Sequence, residues 1–169
     1  MSDSTYDFAK QTDAINGYFK KDYNLSFTWF PQYIDEFPKA IHEIKLNWEK
    51  CKFVPASIDI IPDDHGVYCF SIPLRYPLPS ETYVPLYIGK AAPQFLSERF
   101  GDYLKEKKNP KGRSKIVNAF NKYQNNIEFW WSVLKRSQVE SIEEHLLMCY
   151  CPPCNTSIPN RQRLWGKAF

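Results

Sequence analysis

Residues 66–72 read Gly66-Val67-Tyr68-Cys69-Phe70-Ser71-Ile72, an apolar run that opens on glycine and stops at Pro73, and residues 86–89 read Leu86-Tyr87-Ile88-Gly89. A short continuous apolar run bounded by turn residues is the pattern of a buried strand. Four prolines fall between Pro73 and Pro85 inclusive, so the two runs predict a hairpin with an enlarged connection.

Working outward, Gln94 to Lys108 turns helical, with Phe95, Leu96, Phe100, Tyr103 and Leu104 on one side and Arg99 one turn from both Phe95 and Tyr103. Asn109-Pro110-Lys111-Gly112 ends that helix. A second is expected from about Ser114 to Tyr123, carrying Ile116, Val117, Phe120 and Tyr123 on one face. Asn125-Asn126 breaks it, and Ile127 to Leu134, rich in aromatic and β-branched residues, reads as a third strand. Ser137 and Glu140 have the spacing of a capping box for a further helix through Ile142, Leu146 and Leu147, which must finish before Pro152-Pro153.

Upstream, residues 1–65 read as an acidic helical extension. Pro38 is expected at the first helical position of a segment carrying Ile41, Ile44 and Trp48, preceded by a vaguer pattern with Phe8, Ile15, Tyr18 and Phe19. The expected fold is therefore α/β of the α+β kind: a small antiparallel sheet of three or more strands flanked by helices over 66–157, with the extension at 1–65 and a tail at 158–169.

The chain has 169 residues, 43% hydrophobic and 17% aromatic, enough for one core. No signal-like or membrane-spanning apolar run is found, so the expected compartment is the cytoplasm and no membrane partner is expected. Five cysteines make an odd count in such a chain, which argues for reduced thiols. The formal net charge of +3 hides a division: residues 1–65 hold 7 Lys/Arg against 11 Asp/Glu, and residues 66–169 hold 15 against 8. A basic C-terminal part suits a polyanionic partner, since lysines and arginines that neutralise phosphates release counterions. Lys105, Lys107, Lys108, Lys111, Arg113 and Lys115 form a local strip, interrupted by Glu106, that fits contact with the DNA backbone; by base rate such a strip is more often a solvated face.

Gly66-Val67-Tyr68 and Tyr87-Ile88-Gly89 resemble the paired tripeptides that name the GIY-YIG nuclease family. Each is common by itself; the residues following in register make the resemblance specific. Arg99 stands ten residues after Gly89 where the family places its arginine, and Tyr103 lies one turn on, where relatives carry tyrosine or histidine. Lys90 and Ala91 also look typical. Glu143 opens a Glu-x-x-Leu-Leu run, and Asn155 follows twelve residues later after Pro152-Pro153.

The resemblance implies hydrolysis of phosphodiesters in double-stranded DNA with Mg²⁺ or Mn²⁺. Glu143 would be the metal ligand, and a hard cation that keeps several waters can be held by one carboxylate plus the substrate. Arg99, planar and always charged, suits a grip on the scissile phosphate. Tyr68 is the candidate base and Tyr87 the neighbour that positions it; a phenol with a pKa of about 10 is a poor base at neutral pH, so the alternative is a cation-acidified water with Tyr68 relaying the proton. Tyr103, Lys90 and Asn155 complete the catalytic set. Two biological roles compete, a small type II restriction-type endonuclease and a repair or mobile-element nuclease targeted by a partner, with a non-catalytic nucleic-acid-binding module as the reading from another class. One active site per chain points to a dimer or to sequential nicking.

Each residue also has a plainer reading. The tyrosines can be strand residues in a core, Arg99 and Glu143 an interhelical ion pair, Asn155 a turn residue, and His65 a loop histidine. Cys151 and Cys154 have the spacing of a zinc or redox pair, but no second pair accompanies them, and incidental buried thiols are the favoured reading.

Overall fold

The structure, a computed structural model, describes residues 28–42, 44–74, 82–109 and 112–156. In chain order these form β1 (Thr28–Trp29), α1 (Pro31–Ala40), β2 (Glu49–Lys52), a 3-10 turn (Pro55–Ile60), β3 (Gly66–Leu74), β4 (Thr82–Ala91), α2 (Leu96–Glu106), α3 (Ser114–Lys122), β5 (Glu128–Val133), α4 (Arg136–Cys149) and β6 (Tyr150–Cys151). Four strands make an antiparallel sheet in the order β2-β5-β3-β4, and β1 pairs with β6 in a separate two-stranded ribbon. This is the α+β arrangement of an antiparallel sheet flanked by helices. No helix among the described residues is long and apolar enough to cross a membrane.

β3 lies between β4 and β5, and its side chains are buried on both faces. Alternation sends Tyr68 and Phe70 to one side and Val67 and Cys69 to the other. Tyr68 and Phe70 enter a cluster with Phe53, Leu96, Phe100, Tyr103, Ile116, Phe120 and Phe129, supplied largely by α2, α3 and β5. Val67 joins Ile41, Ile88, Val139, Ile142 and Leu146 under α4 and the end of α1. α2, α3 and α4 each bury an apolar stripe, and α1 packs against α4. The apolar run in β3 is therefore a consequence of having a core on both sides.

Two details of the hairpin place the site. Opposite Phe70 and Ser71, β4 inserts an extra residue: Phe70 pairs with Tyr87 but Ser71 with Pro85, so Leu86 bulges. As a result Leu86 and Tyr87, adjacent in sequence, both pack against the Tyr68 side of the sheet. The glycines are required by close approach. A Cβ on Gly66 would collide with the Ser132 carbonyl oxygen, and one on Gly89 would lie 2.5 Å from Tyr68 Oη and 2.8 Å from a Tyr87 ring carbon.

The upstream half departs from the sequence expectation. The helix there begins at Pro31, so proline does open it, but at a different position, and Pro38 sits inside its C-terminal part. Ile41 follows the helix, and Ile44, Leu46 and Trp48 are half-buried while Lys45, Asn47 and Glu49 are exposed. That alternation is an extended-chain pattern, and it leads into β2, which pairs with β5 as an edge of the main sheet. With β2 and the core residue Phe53 both before residue 66, the boundary drawn there passes through the sheet. The capping box is also displaced. α4 starts at Arg136, with no side-chain cap at Lys135, which puts Ser137 inside the first turn. The reciprocal half of such a box is found on α2, where the Glu98 carboxylate accepts from the Phe95 N–H at 2.7 Å. The Phe8 to Phe19 pattern and the tail from 158 lie outside the described residues.

Candidate active site

β4 is an edge strand, and unpaired edge groups need partners. The segment after α4 supplies them. The Cys154 N–H donates to the Leu86 carbonyl at 2.9 Å. Asn155 then grips the backbone of Ile88 on both sides: its Oδ1 accepts from the Ile88 N–H at 2.9 Å, and its Nδ2 donates to the Ile88 carbonyl at 2.8 Å. One amide side chain thus replaces a neighbouring strand at the centre of Tyr87-Ile88-Gly89. Its observed role is to hold the strand that carries Tyr87 and Lys90.

Beside this anchor opens a cleft of about 470 Å³, lined by Tyr87 and Lys90 from β4, Glu143 and Leu147 from α4, the stretch Arg113 to Ile116, and Cys154 to Thr156. Lys90 sends its ammonium to α4, 3.0 Å from Glu143 Oε2 and 2.8 Å from Glu140 Oε1. The Glu143 side chain is 16% exposed against 80% for Glu140, so the two carboxylates sit at different depths. The hydrogen bond that Lys90 donates to Glu140, helped by Glu143, raises the Lys90 pKa, and Glu140 is lowered in return.

Behind the cleft stands a tyrosine triad. Tyr68 is fully buried, with its hydroxyl 3.0 Å from that of Tyr103. The Tyr87 ring lies 6.3 Å from that of Tyr68 and 5.8 Å from that of Tyr103. Burial pushes the Tyr68 phenol well above its ordinary pKa; Tyr103 and Tyr87 push the same way, and Arg99 opposes them. Tyr103 is likewise raised, chiefly by burial. Arg99 on α2 turns its Nε toward the Lys90 carbonyl, at 3.5 Å. No Arg99–Glu143 ion pair is formed; the ion-pair partner of Glu143 is Lys90.

Of the catalytic residues expected from sequence, Tyr87, Lys90, Glu143 and Asn155 line one cleft, Tyr68 and Tyr103 sit behind Tyr87, and Arg99 is tied to the carbonyl of Lys90. The expected DNA-contacting strip does not stay together. Lys105 is exposed and 3.6 Å from Asp102, while the Lys107 ammonium turns back over the Phe53 ring at 5.8 Å. Lys108 is exposed, and Lys111 lies outside the described residues. Arg113 and Lys115 face the cleft itself.

The sequence offers Glu140 only as half of a capping box and Glu106 only as an interruption of the basic strip; in the structure Glu140 pairs with Lys90 and Glu106 holds Arg113. An acid one turn before Glu143 on the same helix is the available signal for Glu140. Nothing in spacing announced Glu106.

No group of three or more His, Cys, Asp or Glu suited to a metal occurs among the described residues. A site of the expected single-carboxylate kind needs less: Glu143 supplies hard oxygen donors at a cleft roomy enough for the waters such a cation retains. Glu143 is thus the side chain that would hold Mg²⁺ or Mn²⁺, with Lys90 standing 3.0 Å from one of its oxygens. Cys151 and Cys154 sit in different settings, Cys151 on β6 and Cys154 buried, with the Cys154 pKa pushed up to about 11 mainly by burial. Comparison of the chain with protein-family models, with curated proteins and with solved structures found no match to any of them.

Proposed function

We propose that this chain is a Mg²⁺-dependent DNA endonuclease of the GIY-YIG type, acting as a small restriction-type enzyme in the cytoplasm. The observation that carries the reading is the convergence, on one cleft, of four side chains singled out by the family resemblance: Tyr87, Lys90, Glu143 and Asn155. Chance strand tyrosines and an incidental helix glutamate have no reason to meet.

A divalent cation held by Glu143, when bound, supplies charge neutralisation for the phosphate and acidifies water. The remaining work belongs to the chain. Lys90 steadies Glu143 and brings positive charge to the mouth of the cleft. Arg99, held by the Lys90 carbonyl, suits the scissile phosphate. Tyr87, half-buried and lining the cleft, is the phenol able to touch the attacking water. Tyr68, buried and with its phenol pushed well up by burial, fixes the triad through Tyr103 and is better suited to relay a proton than to act as the base. Of the two base readings, this favours the one in which water is acidified by the cation. Asn155 keeps the strand in register.

One observation favours a second reading. Lys90 already occupies an oxygen of the proposed metal ligand, as in a non-catalytic nucleic-acid-binding module that kept the fold. Supercoiled plasmid with Mg²⁺ separates them: the enzyme converts it to products and a Glu143→Ala variant does not, whereas retention on DNA without cutting supports the module. Discrete fragments are expected for a restriction-type enzyme; smearing or isolated nicks would shift the role toward repair or mobile-element activity.

A further inference from the structure

Arg113, immediately before α3, differs from the other cations near the cleft in how firmly it is held. Glu106 accepts three hydrogen bonds from it: the backbone N–H at 2.9 Å, Nε at 2.9 Å and Nη2 at 2.6 Å. Its guanidinium carbon also lies 4.9 Å from the centre of the Tyr103 ring and 5.7 Å from that of Tyr87. The acid is 17% exposed while the arginine is 51% exposed, so the buried carboxylate fixes a guanidinium that still faces solvent and the cleft. Glu106 takes Nε and one Nη2 hydrogen and Tyr103 is a further side-chain partner, and the five N–H groups of a guanidinium leave others for an anion. Such a residue loses little side-chain freedom when an anion arrives.

The cleft is also larger than one phosphate requires. At about 30 Å³ per water, its volume of roughly 470 Å³ holds a phosphate and much besides. Glu143 and Lys90 occupy the side made by α4 and β4; Arg113 and Lys115 occupy the side made by the start of α3.

We propose that Arg113 is a substrate-binding residue gripping a phosphate next to the one cleaved, with Glu106 holding it in that pose, so that the site takes a strand with consecutive phosphodiesters. The inference rests on the nuclease reading. It moves Arg113 from a surface strip that positions DNA to a defined subsite beside the chemistry.

The test compares two substrates and one binding reaction. Hydrolysis of a labelled duplex oligonucleotide and of bis(p-nitrophenyl) phosphate, a diester with a single phosphate, is measured for wild type, Arg113→Ala, Arg113→Lys and Glu106→Gln. Arg113→Ala is expected to lower the ratio of kcat/KM on DNA to kcat/KM on the small diester about tenfold, mainly through KM, as loss of a paired phosphate contact implies. Arg113→Lys, which keeps charge but not the fork, falls between, and so does Glu106→Gln. An Arg113→Ala variant with an unchanged ratio overturns the proposal.

Because Arg113→Ala leaves Glu106 without its partner, thermal denaturation is recorded for every variant, and the Arg113→Lys result decides if the alanine protein is unfolded. Duplex binding by fluorescence anisotropy, in a Glu143→Gln background without turnover, keeps the two readings apart. Weaker binding on Arg113 substitution is expected. Unaltered binding overturns the subsite even if cleavage is observed, and wild-type protein that binds but cuts neither substrate defeats the hydrolytic reading while the binding comparison still judges Arg113.

Discussion

Asn155 commits its side-chain amide to the backbone of β4. Its side chain satisfies both backbone groups of Ile88. Asn155→Ala leaves those edge groups unpaired and should cost about 1–3 kcal/mol of stability, read as a lower urea midpoint, together with slower DNA cleavage. Gly89 is constrained for a steric reason: Gly89→Ala drives a methyl group against the Tyr68 and Tyr87 rings and should destabilise by about 1–3 kcal/mol. Wild-type stability in that variant would mean the rings move aside easily.

Tyr68 and Tyr103 carry a pH signature. Burial raises both phenols above the unfolded value of about 10. Above that pH the unfolded chain releases protons that the folded chain keeps, so stability present below about pH 10 is lost as pH rises further. Urea unfolding at pH 8 and at about 10.5 should show this drop, and Tyr68→Phe should make it smaller. An unchanged drop would place the titration elsewhere.

Among the elements, the sequence made β3, β4, β5, α2 and α3 legible to within a few residues because each has one dominant period or a clear breaker. The approach to β2 was misread because Ile41, Ile44 and Trp48 satisfy helical spacing while residues 44–49 also alternate, and which period applies depends on β5 waiting to pair. The candidate site was legible in the same measure. Tyr87, Lys90 and Glu143, singled out by the family resemblance, do line one cleft, but the pairing of Glu106 with Arg113 and of Glu140 with Lys90 is made by the fold alone. Since β2 and Phe53 belong to the core, a fragment beginning at residue 66 should fail to fold by circular dichroism, and Phe53→Ala in the full chain should cost about 3–5 kcal/mol. Independent folding of the fragment would restore a boundary at 66.

For the molecule as a whole, charge is distributed to suit its proposed partner, with acids concentrated before residue 66 and bases after it. DNA binding should weaken steeply with salt, and because Lys107 packs back over Phe53 while Arg113 and Lys115 face the cleft, substitution of the latter pair should reduce the salt slope more than substitution of Lys107. Whether the cleft between β4 and α4 is a hydrolytic centre built on Glu143 is read from the initial rate of plasmid cleavage in Mg²⁺ by wild type and Glu143→Gln. The wild type is expected to cut, with cutting abolished by EDTA, and the variant to lose about a hundredfold or more, on the scale of removing a group that serves the transition state; a Glu143→Gln protein that cuts at the wild-type rate would rule that centre out.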